Sequence, residues 1–141
     1  MSPDDGAFEY LAELPTAEEF ELLFRSSGWT EAVEVPSERL AEALTHAWYS
    51  VCARRDGRIV GTGQVLSDGA LHALIVDVIV TPEMRGRGIG TGIMKMLIAR
   101  CREADVLGIQ LFSARGKRGF YEGLGFVARP DDGPGMELAL R

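Results

Sequence analysis

Apolar and polar residues alternate through Phe8, Tyr10, Ala12 and Leu14, which predicts a strand, and Pro15 ends it. Thr16 with Glu19 three residues on forms a capping box, and Phe20, Leu23 and Phe24 follow at helical spacing. The run Ser26-Ser27-Gly28-Trp29 stops that helix. Pro36-Ser37 opens a second one, with Leu40, Ala41, Leu44 and Ala47 on one face. Three extended runs come next: Trp48 to Arg55, Arg58 to Leu66 and Ala70 to Val80. Asp56-Gly57 and Asp68-Gly69 separate them, and Asp-Gly between apolar runs predicts hairpins because both residues tolerate positive φ. Ala70 to Val80 is nearly apolar on both faces and is expected to be the central strand of the meander.

The period changes after Thr81-Pro82. Ile93, Met94, Leu97, Ile98 and Cys101 mark a helix, Val106 to Phe112 a strand, and Arg118 to Leu124 a short helix stopped by Gly125. Phe126-Val127 and Met136 to Leu140 read as two last strands. The expected architecture is a mixed α/β sandwich. One central, mostly antiparallel sheet of six to seven strands is flanked by about four helices.

At 141 residues the chain is the size of one domain, spanning residues 1–141, and it buries enough surface to need no disulfide or metal staple. Two cysteines without a Cys-x-x-Cys spacing exclude a disulfide framework or zinc ribbon, and His46 and His72 cannot form a His-Glu-x-x-His site. Trp29 and Trp48 are expected to pack rather than to stack on a substrate, and His72 to be structural or exposed. The longest apolar run is interrupted by His72 and Asp77 and is too short to cross a bilayer. The acidic start, with no apolar leader, predicts a cytoplasmic protein with no membrane partner.

The net charge of -6 argues against a nucleic-acid partner. Its distribution is more informative. Residues 1–42 hold 11 acidic and 2 basic side chains, whereas residues 85–118 hold 8 basic and 2 acidic ones. A basic island beside glycines in an acidic protein points to a small polyanionic ligand.

That island begins with Arg85-Gly86-Arg87-Gly88-Ile89-Gly90-Thr91, between a predicted strand and a predicted helix. Glycines let backbone N–H groups point into one concavity, the helix start adds a positive dipole end, and Arg85 and Arg87 add charge. The combination is a pyrophosphate cradle. It is not a dinucleotide fingerprint, since Thr91 and Ile93 stand where the third glycine would fall. Walker A fails because Gly116-Lys117 is followed by Arg118 and lacks the upstream glycine, and no serine sits in a Gly-x-Ser-x-Gly elbow.

Arg85, Gly88 and Gly90 do fit (Gln/Arg)-x-x-Gly-x-(Gly/Ala), which resembles the acyl-CoA signature of the GNAT N-acetyltransferase superfamily. Asp77-Val78-Ile79-Val80 before it is similar to that family's central-strand segment. Phe120-Tyr121-Glu122-Gly123-Leu124-Gly125-Phe126 resembles its Phe-Tyr-Glu-x-x-Gly-Phe segment. The likeness covers essentially the whole chain. It implies the acyl-CoA N-acyltransferase fold, with acetyl-CoA as cosubstrate, no metal, and direct acetyl transfer to an amine. By the same resemblance the backbone of Val78, Ile79 and Val80 pairs with the pantetheine arm, and the loop from Arg85 to Thr91 holds the pyrophosphate. Tyr121 protonates the departing thiolate, and Asp77 is the candidate base, directly or through water. Relatives often carry an Asn before the Phe-Tyr segment; here Ser113-Ala114-Arg115-Gly116-Lys117-Arg118 lacks one.

The resemblance builds the acceptor groove from Phe20 to Leu44 and Arg129 to Met136. Those stretches contain Glu31, Glu34, Glu38, Glu42, Asp131 and Asp132, which suits a small cationic amine. A protein lysine or N-terminus is the alternative acceptor, and a non-catalytic acyl-CoA sensor the alternative class. The resemblance also admits a homodimer.

Overall fold

The computed structural model describes residues 7–28 and 34–140, so the readings at Trp29 and Glu31 lie outside the described residues. The chain divides into two compact units, Met1–Gln110 and Leu111–Arg141. Its elements are β1 (Glu9–Leu11), α1 (Ala17–Ser26), α2 (Ser37–Leu44), β2 (Tyr49–Arg55), β3 (Arg58–Ser67), β4 (His72–Val80), α3 (Ile89–Glu103), β5 (Gly108–Leu111) and α4 (Arg118–Gly123). A single 3-10 turn, Pro82–Met84, precedes α3. The five strands form one sheet in the order β1-β2-β3-β4-β5, antiparallel from β1 through β4.

Local signals produce the elements they predict. Thr16 Oγ1 accepts from the Glu19 N–H at 3.1 Å, and Glu19 Oε1 accepts from the Thr16 N–H at 3.0 Å. The box starts α1, whose Phe20 and Leu23 are buried and join Leu40 and Leu44 of α2 in the first unit's core. Asp56 and Gly57 turn the β2–β3 hairpin at φ +52° and +79°. Asp68 acts differently: its Oδ1 accepts from the N–H groups of Ala70, Leu71 and His72, so β4 starts at His72 rather than Ala70. Those three donors hold its carboxyl down at about 2.

The other face of the sheet receives α3, which buries Ile89, Ile93, Met94, Leu97 and Cys101. Gly63 permits this close approach: a Cβ there would stand 2.8 Å from Ile93 Cγ2 and 3.0 Å from Leu97 Cδ1. Glycine within a helix costs about 1 kcal/mol against Ala. At Gly92 the reason is spatial, because a Cβ would run into the Tyr10 ring.

Two expectations need correction. β3, not Ala70 to Val80, is the middle strand, and six of its ten residues are buried; β4 lies between β3 and β5. Among the described residues the sheet has five strands, not six or seven, because Phe126-Val127 and Met136 to Leu140 form none. Their alternation is a real pattern, but a strand also needs a backbone partner. Val127, Met136, Leu138 and Leu140 are all exposed, and Pro130, Gly133, Pro134 and Gly135 turn the chain between the two runs.

One ion-pair cluster ties α1 to the sheet. Arg54 on β2 reaches Glu13 at 2.7 Å and Glu19 at 2.7 and 3.0 Å. Hydrogen bonding to Arg54 is the main reason Glu19 falls from its ordinary 4.5 to about 2. A carboxylate whose folded pKa is depressed stabilises in full above its unfolded value and ceases to do so as pH falls through the folded one. Glu19→Gln is therefore expected to lower the melting temperature above pH 4.5 and to flatten its fall between pH 4.5 and 2. Arg54→Ala is expected to cost about 1–3 kcal/mol at neutral pH by denaturant titration.

Candidate active site

Where β3 pairs with β4, Gly61 faces Val80, Thr62 faces Ile79 and Gln64 faces Val76. The register slips between Thr62 and Gln64, so Asp77 and Val78 together face the single residue Gly63. This is a β-bulge, which bends the strand and leaves one residue out of the ladder. Asp77 takes φ +54°, a left-handed conformation that Asp tolerates better than most residues but that still stores strain. In a regular strand Val76 and Asp77 would point to opposite faces; here both line one cavity. Val78 lies toward α3, its Cγ2 3.3 Å from where a Cβ on Gly63 would stand.

The cavity, about 200 Å³, lies among α1, the end of α2, β3 and β4. Its walls are Phe20, Ala43, Leu44, Ala47, Leu66 and Val76, with Gln64, Asp77 and His46 as the polar members. Burial pushes the Asp77 carboxyl up from its ordinary value, and it has no hydrogen-bond or ion-pair partner among the described residues. Among the described residues that line this cavity, Asp77 is the one carboxylate. Glu42 is committed to Arg39 at 2.6 Å, Glu34 and Glu38 are exposed, and Asp131 and Asp132 belong to the second unit.

Beyond the bulge, β4 leads through Ile79, which is buried, and Val80 into the glycine turn. Arg85 Nε donates to the Val80 carbonyl at 3.3 Å, folding that guanidinium back along the strand's end, while Arg87 is exposed. Gly86 and Gly88 stand at φ +79° and +80°, and a Cβ at either would meet nothing within 4 Å. Gly88 is the N-cap of α3 and brings no side-chain acceptor. The first helical hydrogen bond runs from the Gly92 N–H to the Gly88 carbonyl. The N–H groups of Ile89, Gly90 and Thr91 are therefore left without intrahelical acceptors, at the positive end of a 15-residue helix. Open space, three donors, the helix dipole and two arginines fit a pyrophosphate.

On the other side, β5 is held at the start of β4, where the Leu107 and Gly108 N–H groups reach the Ala70 and Leu71 carbonyls at 3.3 and 3.1 Å.

Tyr121 lies in the second unit, on α4. Its ring meets Phe120 edge-on at 5.0 Å and Phe126 at 6.1 Å between centroids. Burial raises its phenol pKa. The Phe126 N–H returns to the Tyr121 carbonyl at 3.1 Å, which closes the loop after α4. Of the remaining residues read from sequence, His72 is exposed and Trp48 packs under the Arg100 guanidinium at 4.4 Å. Gln64 and His46 were not singled out. The only trace of Gln64 in the sequence is an amide within the otherwise small and apolar run from Val60 to Leu66.

The model of the acetyltransferase (GNAT) family matches residues 11–126. An uncharacterised N-acetyltransferase of the red alga Porphyra purpurea, ycf52, is 35% identical over 84% of this chain and 68% of its own length. The chloroplastic serotonin N-acetyltransferase 2 of rice is 37% identical over 70% of this chain and 52% of its own. A GNAT-family acetyltransferase of Streptococcus pneumoniae superimposes with a TM-score of 0.81 at 25% identity, covering 96% of this chain and 99% of that one. With the bulged strand, the bare helix start and the glycine turn all inside the matched region, the chain belongs to the GNAT family of acetyltransferases.

Proposed function

We propose that the protein moves the acetyl group of acetyl-CoA directly to a primary amine of a small molecule. The observation that carries this reading is the Asp77 carboxyl, turned by the bulge into an apolar cavity on the strand that ends at the glycine turn. The name of the rice relative, a serotonin N-acetyltransferase, supports a small amine as acceptor.

Acetyl-CoA supplies an activated acyl carbon as a thioester. Everything else falls to the chain. The turn from Arg85 to Thr91 holds the pyrophosphate, using the free N–H groups of α3 and the two arginines. Val78, Ile79 and Val80 offer strand-edge backbone groups to the pantetheine arm. An N–H released by the bulge polarises the thioester carbonyl. A free amine with a pKa near roughly 10.4 is protonated at neutral pH, so it must shed a proton before it can attack. Asp77 receives that proton, directly or through water. As the new C–N bond forms the C–S bond breaks and the Tyr121 hydroxyl gives its proton to the thiolate; the second proton that the nitrogen sheds on becoming an amide returns through solvent to the phenolate.

Calorimetry with acetyl-CoA, CoA and NAD tests the cradle. Acetyl-CoA and CoA are expected to bind and to compete, since the cradle reads their shared part; NAD binding without CoA binding overturns the assignment. Gly88→Asn sharpens the test. Asn tolerates positive φ, so the fold should hold, yet its side chain fills the open concavity. Acetyl-CoA affinity is expected to fall at least about tenfold, or roughly 1.4 kcal/mol, with little change in melting temperature. An acceptor panel read by CoA thiol release, including a lysine peptide and a free protein N-terminus, tests the substrate class. Turnover of the peptides alone moves the protein to the alternative acceptor, and binding without turnover of any amine makes it a sensor.

A further inference from the structure

The first turn of α3 has to aim the free N–H groups of Ile89, Gly90 and Thr91, yet its own residues hold it weakly. Gly88 caps it, and Gly90 and Gly92 follow within it; glycine is a poor helix former. The bond from the Gly92 N–H to the Gly88 carbonyl, at 3.1 Å, closes the turn. Contacts from outside the helix must therefore fix its direction. One comes from β3, where a Cβ on Gly61 would stand 3.3 Å from Ile89 Cγ2 and 2.9 Å from Ile93 Cδ1. These two side chains seat the turn on the middle of the sheet. The other contact comes from β1.

Tyr10 is the middle residue of that three-residue strand and is paired with Ala53 of β2. Residues paired across a sheet share a face, and the small side chain of Ala53, fully buried, leaves the ring room to cross to the helix. A Cβ on Gly92 would stand 2.5 Å from the Tyr10 hydroxyl oxygen and closer still to Cζ and Cε1. None of the other described glycines would bring a Cβ so near a neighbour. In a helix, the surface that a side chain covers lies over the turn N-terminal to it. The ring, taking the place of a side chain at Gly92, thus lies against the turn that begins at Gly88. Its hydroxyl has no hydrogen-bond partner among the described residues, so the ring acts by contact alone.

We propose that Tyr10 is a positioning residue of the pyrophosphate cradle: its ring, seated on Gly92, sets the direction of the first turn of α3 and with it the aim of the three free N–H groups. The proposal rests on the acetyltransferase reading and adds to it a residue outside the glycine turn, on a strand that β2 and β3 separate from β4. Hydrogen bonds to an anion weaken steeply as their angle closes. A small tilt of the turn is therefore felt in the grip on pyrophosphate, while the β4 backbone that meets the pantetheine arm stays where it is.

The test compares CoA, which carries the pyrophosphate, with pantetheine, which does not. Affinities are measured by calorimetry for CoA and by saturation-transfer NMR for pantetheine. Gly92→Ala and Tyr10→Ala are each expected to weaken CoA binding roughly tenfold, as for one misaimed hydrogen bond to a charged group, with pantetheine binding unchanged. Tyr10→Phe keeps the ring and is expected to bind CoA as the parent does. With both alanine substitutions together the new methyl has room, so CoA should bind more tightly than to Gly92→Ala alone. A ring that merely packs would lower the melting temperature and leave the affinity of the folded protein alone, or weaken both ligands alike. Equal loss of CoA and pantetheine, parent CoA affinity in Tyr10→Ala, or a double variant no better than Gly92→Ala overturns the proposal and leaves the acetyltransferase reading intact. Should Gly92→Ala not fold, Tyr10→Ala decides by the same comparison. Failure of the parent to bind CoA overturns both.

Discussion

Asp77→Asn is expected to lower kcat about 10²–10⁴-fold, the usual contribution of a positioned base, and at neutral pH to make the protein more stable. The two effects have one cause. Burial raises the Asp77 carboxyl pKa, so the folded state favours its protonated form. Above the raised folded pKa the folded chain carries a charge it would rather not hold, and that cost disappears as pH falls through this value. Asn is neutral at every pH, has nearly the same shape, and also tolerates the left-handed backbone at φ +54°. It should therefore keep the bulge and remove the desolvation cost. Activity should respond in the opposite sense. In the parent protein the rate climbs with pH first as Asp77 ionises and again as the amine loses its proton; in Asp77→Asn only the second rise should survive. Melting curves and pH–rate profiles of the two proteins check both parts. A variant that is more stable and equally active would make Asp77 a strand residue strained for no chemical reason.

What could be read in the sequence was what depends on neighbours along the chain. The Thr16–Glu19 box, the Asp56-Gly57 hairpin and the glycine turn before α3 each rest on residues within one turn of one another, and each forms. Features that need a distant partner could not be read in the same way. Alternation at Met136, Leu138 and Leu140 says that a strand could form, not that an edge is present to receive it. The slip that rotates Asp77 into the cavity depends on how β3 and β4 count residues against each other. Asp77 could be named as a candidate from the resemblance alone, but its direction could not be derived. Gln64 left almost no signal, because its hydrogen-bond partners Thr62 and Ser50 come together only when β2 pairs with β3. The carboxylates expected along the acceptor groove are likewise a list without an arrangement: the sequence does not show that Glu42 pairs with Arg39.

Tyr121→Phe is the second large effect expected. The change removes only the hydroxyl, so the ring contacts with Phe120 and Phe126 and the backbone closure at Phe126 remain available. Little loss of stability should follow. The hydroxyl has no hydrogen-bond partner among the described residues, and burial keeps it protonated well beyond neutral pH. A phenol held in that form is a proton donor. In acetyl transfer a donor is needed only as the C–S bond breaks and charge gathers on sulfur, so its loss is felt in the transition state and not in binding. The expected result is a kcat lower by about 10²–10⁴-fold, with acetyl-CoA affinity nearly unchanged. Acceptors and thioesters give an internal control. A thioester whose thiol is already acidic needs less help in leaving, so the variant should lose less with it than with acetyl-CoA. The parent protein, which supplies the proton itself, should distinguish the two less. If Tyr121→Phe keeps the parent kcat, or loses equally with both thioesters, the hydroxyl takes no part in expelling the thiolate and Tyr121 is a packed aromatic of α4.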